Sequence, residues 1–81
     1  MTAEEAIREA LARRRPGGSI CPTDAARLLG GADWRGQLPA IHAAARALAA
    51  AGEVCLTQRG EPVTDPRGAY RIGRAPPPDG A

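Results

Sequence analysis

The 81 residues, of which 43% are hydrophobic and 25% charged, have the length and composition of one small globular domain, and they exclude a disordered chain and a cleft between two domains. The net charge of +2 is small for a domain that binds a polyanion. All 11 basic residues are nevertheless Arg, which suits bidentate contacts with phosphates or bases. A GC-rich genome, which favours Arg, Ala, Gly and Pro together, explains the same composition without such a role.

The first helix is predicted from a capping box and a helical apolar period. Thr2 and Glu5 have the capping-box spacing, and apolar residues at helical intervals continue to Leu11. Pro-Gly-Gly at 16–18 ends this helix. Residues 19–21 are then long enough only for a single bridging strand.

Two further helices are predicted in close succession. Pro22 suits a first helical position, and Gly30 and Gly31 end this two-turn helix. Only a few residues separate it from the third helix, which is the spacing of a helix-turn-helix. Asp33 is the expected cap of the third helix and Gly52 its end. Since Pro39 is tolerated only near a helix start, the regular helix is expected to begin within 33–38.

The third helix carries an acid-free stripe. Trp34 leads an apolar stripe with steps of four and three residues, so it is expected to anchor the core, although an exposed ring could stack on a base. Arg35, His42 and Arg46 follow the same steps one position further on and therefore share a neighbouring face. This face suits contacts with nucleic acid.

A two-stranded hairpin is predicted after the helices. Residues 54–58 and 69–72 alternate in the manner of strands, and turn residues fill the loop of about nine residues between them. Gly60 is expected to supply a positive φ in this loop. Gln58 and Thr57 serve equally well as ligand contacts or as partners of hairpin backbone groups. The domain is expected to cover 1–73, followed by a disordered Pro-rich tail at 74–81.

The order helix, strand, helix, turn, helix, hairpin predicts an α+β fold of the winged-helix type. In such a fold the third helix enters the major groove of DNA, while the hairpin loop lies along the backbone or the minor groove. The candidate nucleic-acid-binding residues are then Arg35, His42, Arg46, Gln58, Arg59 and Arg67.

Several runs of the sequence resemble a family of short bacterial winged-helix domains of unknown function. The resemblance covers about residues 4–73. Its most specific element is T-Q-R-G-x-P-V at 57–63, and the other matching runs are C-P-T-D-A-A-R at 21–27, W-R at 34–35, L-P-A-I at 38–41 and Y-R-I at 70–72. The resemblance implies the winged-helix fold and a cytoplasmic bacterial origin. It carries no catalytic residue across.

We expect neither enzymatic activity nor a cofactor. His42 has no Cys or carboxylate companions at ligand spacing, and no paired carboxylates, phosphate loop or catalytic triad can be assembled. Cys21 and Cys55 are the only cysteines and the chain begins without a signal-peptide pattern, so free thiols and a cytoplasmic location are expected. No apolar run is long enough to span a bilayer, so no membrane association is expected.

Two functions remain open at this point. The first is binding of double-stranded DNA, as in a small transcriptional regulator, for which a domain this small would need a homodimer or a protein partner to gain specificity. The second is a protein-interaction module on the same scaffold without nucleic-acid binding. The acids Glu53, Glu61 and Asp65 around the hairpin favour the second function, because they would repel phosphate.

Overall fold

Three α-helices and a small antiparallel sheet make up the computed structural model, which describes residues 1–75. The predicted α+β class is confirmed. In chain order the elements are α1 (Ala3–Ala12), β1 (Ser19–Ile20), α2 (Pro22–Gly30), a 3₁₀ turn (Gly31–Asp33), α3 (Trp34–Ala50), β2 (Val54–Gln58), β3 (Glu61–Pro62) and β4 (Arg71–Arg74).

Helix α1 begins with the capping box that its sequence predicts. The backbone N–H of Thr2 donates to Oε1 of Glu5 at 2.7 Å, and the backbone N–H of Glu5 donates to Oγ1 of Thr2 at 3.1 Å. These two bonds satisfy N–H groups that the helix itself leaves without acceptors. The same backbone bond lowers the pKa of Glu5.

Helices α2 and α3 approach closely where they are joined. A Cβ atom placed on Gly30 would lie 2.5 Å from Cγ of Gln37 in α3, which is closer than such atoms come in proteins. Glycine at position 30 therefore permits the contact between the two helices. The 3₁₀ turn that joins them has only three residues, so α3 follows α2 almost without interruption.

Helix α3 begins at Trp34, within the predicted window, but its first turns are less regular than the sequence indicates. Asp33 occupies the N-cap position, yet its side chain makes no capping hydrogen bond. Pro39 lies in the second turn, inside the helix. Proline has no N–H, so the carbonyl of Arg35 lacks the partner that a regular helix would give it.

The sheet has the order β1-β4-β2-β3, with every neighbouring pair antiparallel. Strand β1 joins it from the helical half of the chain, since Ile20 lies opposite Ile72 of β4. On its other side β4 pairs with β2, where Leu56 lies opposite Ile72 and Thr57 opposite Arg71. This register places the buried side chains of the strands on one face, against the helices.

The predicted hairpin differs from the observed one. Gln58 pairs with Glu61 across a two-residue turn, so β2 folds back directly into β3, and β4 begins only at Arg71. Arg59 and Gly60, the central residues of the turn, both have positive φ, 54° and 80°, as a type I′ turn requires. The prediction missed β3 because such turns usually carry Asn-Gly or Asp-Gly. The positive φ expected at Gly60 is confirmed. Residues 63–70, which connect β3 to β4, are called the β3–β4 loop below.

The core is built from small and branched aliphatic side chains. Its largest completely buried members are Ile7, Ile20, Ile41, Leu56 and Ile72. Buried alanines on all three helices let the helices pack closely. Tyr70 is also buried, with 5% of its surface exposed, whereas Trp34 is only partly buried at the margin of the core. The expectation that Trp34 anchors the core therefore holds only for part of its ring.

Strand β4 continues to Arg74, one residue beyond the domain boundary predicted at 73. Arg74 pairs with Val54, and the backbone N–H of Ala75 donates to the carbonyl of Glu53 at 3.2 Å. The remainder of the predicted tail, 76–81, lies outside the described residues. Within 1–75 no helix combines the length and the apolar character needed to cross a membrane.

Candidate nucleic-acid interface

The stripe of Arg35, His42 and Arg46 on α3 divides into an exposed end and a covered end. Arg35 is exposed, and its guanidinium carbon lies 4.2 Å from the centre of the Trp34 ring. Arg27 of α2 lies 5.1 Å from the same ring centre. Both distances are those of cation–π contacts. The Trp34 ring thus contacts two guanidinium groups, and its contact with Arg35 keeps that side chain at the surface of α3.

His42 contacts the β3–β4 loop. Its Nδ1 atom lies 2.7 Å from the hydroxyl oxygen of Tyr70, a hydrogen-bonding distance. Burial, and then the positive charge of Arg46, hold the pKa of His42 below its ordinary value. Burial raises the pKa of Tyr70 in turn. His42 therefore favours the neutral state and holds the end of the loop.

Arg46 contacts the same loop closer to its middle. Its Nε donates to Oδ1 of Asp65 at 3.1 Å, and its Nη2 donates to the carbonyl of Pro66 at 3.1 Å. A single guanidinium thus binds both a carboxylate and a backbone carbonyl, although the ion pair is solvent-exposed on the Asp65 side. The positive charge of Arg46 is compensated within the domain.

Gln58 holds the loop from the side of the sheet. Its amide Nε2 donates to the carbonyls of Arg67 and Ala69, at 2.6 and 2.9 Å. Both amide protons are therefore used within the domain. Of the six sequence candidates, three fix the conformation of the β3–β4 loop: His42, Arg46 and Gln58. These three are called the loop-fixing residues below.

The other three candidates, Arg35, Arg59 and Arg67, are exposed. None of them forms an ion pair within residues 1–75, whereas Arg8, Arg13, Arg14 and Arg46 each bind a carboxylate. Arg59 and Arg67 belong to the hairpin turn and the β3–β4 loop. Arg35 lies on α3, on the stripe that faces this loop.

A concavity of about 840 Å³ is bordered by β2, the β2–β3 turn, the β3–β4 loop and the start of β4. Arg59, Arg67 and Arg71 line it, and Thr57 and Cys21 contribute a hydroxyl and a thiol. No described residue of its lining is acidic. This depression thus combines three arginines with no carboxylate in its lining.

The sequence analysis did not single out two exposed arginines: Arg71, which lines the concavity, and Arg27, which lies beside Trp34. Arg71 could have been found from the alternation of residues 69–72, which predicts that it points away from the buried Ile72. Its position beside Thr57 depends on the strand register and could not have been found in that way. Arg27 lies next to Trp34 only because α2 and α3 pack at their junction.

The described residues assemble no cluster of metal ligands. Three or more His, Cys, Asp or Glu side chains do not converge on a point anywhere in 1–75. Cys21 and Cys55 are both free and half-buried. Strand β4 separates β1, which Cys21 follows, from β2, which carries Cys55, and two strand spacings of about 4.8 Å exceed the reach of a disulfide.

A family model matches the whole of the described chain. It is that of the proteins of unknown function designated DUF3253, and the match covers residues 1–75. The chain belongs to this family. No curated protein matches the chain. The DUF3253 match thus spans both the α3 stripe and the concavity but assigns no activity to either.

Proposed function

We propose that this DUF3253 domain is a winged helix, with α3 as the recognition helix and the connection from β2 to β4 as the wing. The position of β1 supports this, because the strand lies between α1 and α2 in the chain yet pairs with β4, which pairs with β2. A strand from the helical half thereby ties the hairpin to the helices. The close approach of α2 and α3 at Gly30 supports the helix-turn-helix within it.

We further propose that the domain binds double-stranded DNA through Arg35, Arg59 and Arg67. The observation that carries this proposal is that all three are exposed without an acidic partner within 1–75 and lie on α3, the β2–β3 turn or the β3–β4 loop, the parts that a winged helix presents to DNA. An unpaired guanidinium can bind a phosphate and displace its counterions. The proposed role is binding and not catalysis.

The arrangement of α3 and the β3–β4 loop supports one continuous surface. Arg35 precedes His42 by seven residues, so it lies on the same side of the helix, about 10 Å along the axis. His42 contacts Tyr70, which ends the loop. Leu38 and His42 of α3 line one depression with Gly68 and Ala69 of the loop, so the loop that carries Arg67 lies against the helix that carries Arg35. We propose that the two arginines reach the same DNA segment.

The loop-fixing residues have a different role in this proposal. Their polar atoms already bind Tyr70, Asp65 or backbone carbonyls of the loop. Contact with a base edge through the same atoms would break these bonds. We propose that His42, Arg46 and Gln58 position the wing, and that they affect DNA binding only through its conformation.

Fluorescence anisotropy of a labelled mixed-sequence duplex, titrated at several salt concentrations, tests the proposal. We expect log affinity to fall linearly with log salt, with a slope of about −0.9 per phosphate neutralised. The double variant Arg35→Gln/Arg67→Gln is expected to bind more weakly and to reduce the magnitude of the slope by about 1.8.

The matched control is Arg8→Gln/Arg74→Gln, which removes the same charge. Both residues line the depression at the end of the sheet opposite the β2–β3 turn. We expect this control to retain the slope of the natural domain. Equal slopes for the two double variants would contradict the proposed surface, and absence of binding at low salt would contradict DNA binding itself.

A second candidate function is docking of a protein on the outer face of α3. Pro39, Ala40, Ala43, Ala47 and Ala50 are all exposed, so this face is small, apolar and uncharged. Such residues allow close approach of another helix. Glu53, Glu61 and Asp65 favoured this function in the sequence analysis because they would repel phosphate. Two of them now support it less strongly, because Glu53 and Asp65 are paired with arginines. Sedimentation velocity of the unsubstituted domain and of Ala43→Glu tests self-association through this face. A dimer of the unsubstituted domain that is lost in the variant supports this candidate.

A further inference from the structure

The concavity bordered by β2, β4 and the β3–β4 loop has the form of a small-ligand site. Its volume of about 840 Å³ lies within the range of about 300 to 1,000 Å³ typical of ligand pockets. The sheet forms its floor, with Thr57 and Arg71 side by side on β2 and β4. Residues of the β3–β4 loop, among them Val63 and Ala69, form a wall.

The guanidinium of Arg71 is oriented without being neutralised. Its Nε donates to Oγ of Ser19 at 3.0 Å, and its Nη2 donates to the carbonyl of Ser19 at 2.9 Å. These neutral acceptors fix the group on the surface of the sheet, and it forms no ion pair with any residue in 1–75. Nη1 and the second proton of Nη2 make no hydrogen bond within 1–75, so this uncompensated guanidinium can still donate two parallel hydrogen bonds to an oxyanion.

Arg59 occupies a backbone position that disfavours it. Its φ of 54° is the only positive value outside glycine among residues 1–75. The left-handed region costs an ordinary side chain about 1 kcal/mol, and Gly or Asn would fit this first position of the turn better. The strained turn keeps an arginine at the rim of the concavity, which is the kind of outlier that functional sites retain.

The wall of the concavity is held in place by Gln58. The bonds from its amide to the carbonyls of Arg67 and Ala69 fix the loop segment that carries the third arginine. Arg59, Arg67 and Arg71 thus come from a turn, a loop and a strand, and all three line the same space. A pre-formed arrangement of this kind reduces the entropy that a ligand must offset on binding.

We propose that this concavity binds a small organic molecule that carries a phosphate monoester. The three arginines contact the phosphate, the Thr57 hydroxyl donates to it or to the organic part, and the apolar wall at Val63 and Ala69 contacts the organic part. This site shares Arg59 and Arg67 with the DNA surface proposed above. It goes beyond that surface through Arg71, Thr57 and the apolar wall, which are not part of it.

A titration of the isotope-labelled domain with adenosine monophosphate, followed by two-dimensional NMR, tests the proposal. We expect saturable shifts of the amides of Thr57, Arg71 and residues 67–69 and of the Nε–H group of Arg71. Inorganic phosphate is expected to shift the same signals with weaker affinity, and adenosine is expected to leave them unchanged. Equal shifts by adenosine would overturn the role of the phosphate.

Variants assign the binding to the concavity. Arg71→Gln is expected to weaken the binding of adenosine monophosphate about tenfold or more. Arg74→Gln removes the same charge from the same strand, outside the concavity, and should leave affinity unchanged. If Arg71→Gln lacks a dispersed spectrum, Arg67→Gln provides the same test at a side chain that makes no hydrogen bond to another residue within 1–75. A folded Arg71→Gln or Arg67→Gln variant with unchanged affinity for adenosine monophosphate would overturn the proposal.

The same spectra separate this proposal from DNA binding. If a duplex oligonucleotide shifts the signals of the concavity and adenosine monophosphate at millimolar concentration does not, the small-ligand proposal fails and DNA binding stands. If adenosine monophosphate binds and no duplex does, the small-ligand proposal stands and DNA binding fails.

Discussion

The substitution Gln58→Glu separates a loop-fixing role of this side chain from a ligand-binding one. Glutamate has the same length and shape as glutamine but lacks both amide protons. The carboxylate would face the carbonyl oxygens of Arg67 and Ala69, which now accept hydrogen bonds at 2.6 and 2.9 Å. The change therefore replaces two attractive contacts by two repulsive ones without altering the volume of the side chain.

The magnitude follows from the two bonds. Each is worth about 0.5 to 1.5 kcal/mol net, and since both are exposed we use the lower part of this range, which gives about 1 to 2 kcal/mol in total. A domain of this size changes its melting temperature by about 4 to 8 °C per kcal/mol. We therefore expect Gln58→Glu to lower the melting temperature by about 4 to 16 °C.

Thermal unfolding followed by circular dichroism measures the effect, and amide hydrogen exchange locates it. Exchange should accelerate most in the β3–β4 loop and at the start of β4, because these segments lose their attachment. Arg59→Gln is the control: it changes the net charge by the same unit at the next residue, and no hydrogen bond of the Arg59 side chain occurs among the described residues.

The reasoning would be refuted by a Gln58→Glu variant with an unchanged melting temperature and unchanged exchange in the loop. Gln58 would then be free of the loop, and its side chain would be open to a direct role in binding. A variant that loses stability and also binds DNA more weakly agrees with a loop-fixing role, because the loop carries Arg67.

Three further predictions concern the core, the loop contact and the helix junction. Ile41→Ala, at a completely buried position, should cost about 2 to 5 kcal/mol in urea unfolding, a large share of the about 4 to 12 kcal/mol expected for this chain length. The pKa of His42 is lower in the folded state than its ordinary value of 6.5, so the stability due to its neutral form should be complete above pH 6.5 and lost as the pH falls through the folded pKa. An NMR titration of Arg46→Gln should show a higher His42 pKa, and an unchanged pKa would contradict the contribution of the Arg46 charge. Gly30→Ala should lower the melting temperature, since its Cβ would meet Gln37, and a stable variant would mean that the helices separate easily.

Much of the secondary structure could be predicted because its causes are local. The capping box of Thr2 and Glu5 involves residues three positions apart, and the helical stripes depend only on the period of the backbone. The hairpin was predicted less well, because Arg59 gives no typical signal of a tight turn. Strand β3 and the late start of β4 depend on that turn.

The candidate site was predicted in composition but not in role. All six candidate residues lie on α3, β2, the β2–β3 turn or the β3–β4 loop. The sequence could not divide them into exposed and loop-fixing residues. It also could not bring Arg71 beside Thr57, because this neighbourhood requires the register between two strands that are far apart in the chain.

The sequence by itself determined the order of the elements, the absence of acids from the stripe on α3 and the choice of Arg for every positive charge. Only the tertiary structure decided which of these charges face solvent. His42 contacts a residue 28 positions away and Arg46 contacts one 19 positions away. Helical periodicity places side chains on a face, but whether a distant loop covers that face depends on how the whole chain packs.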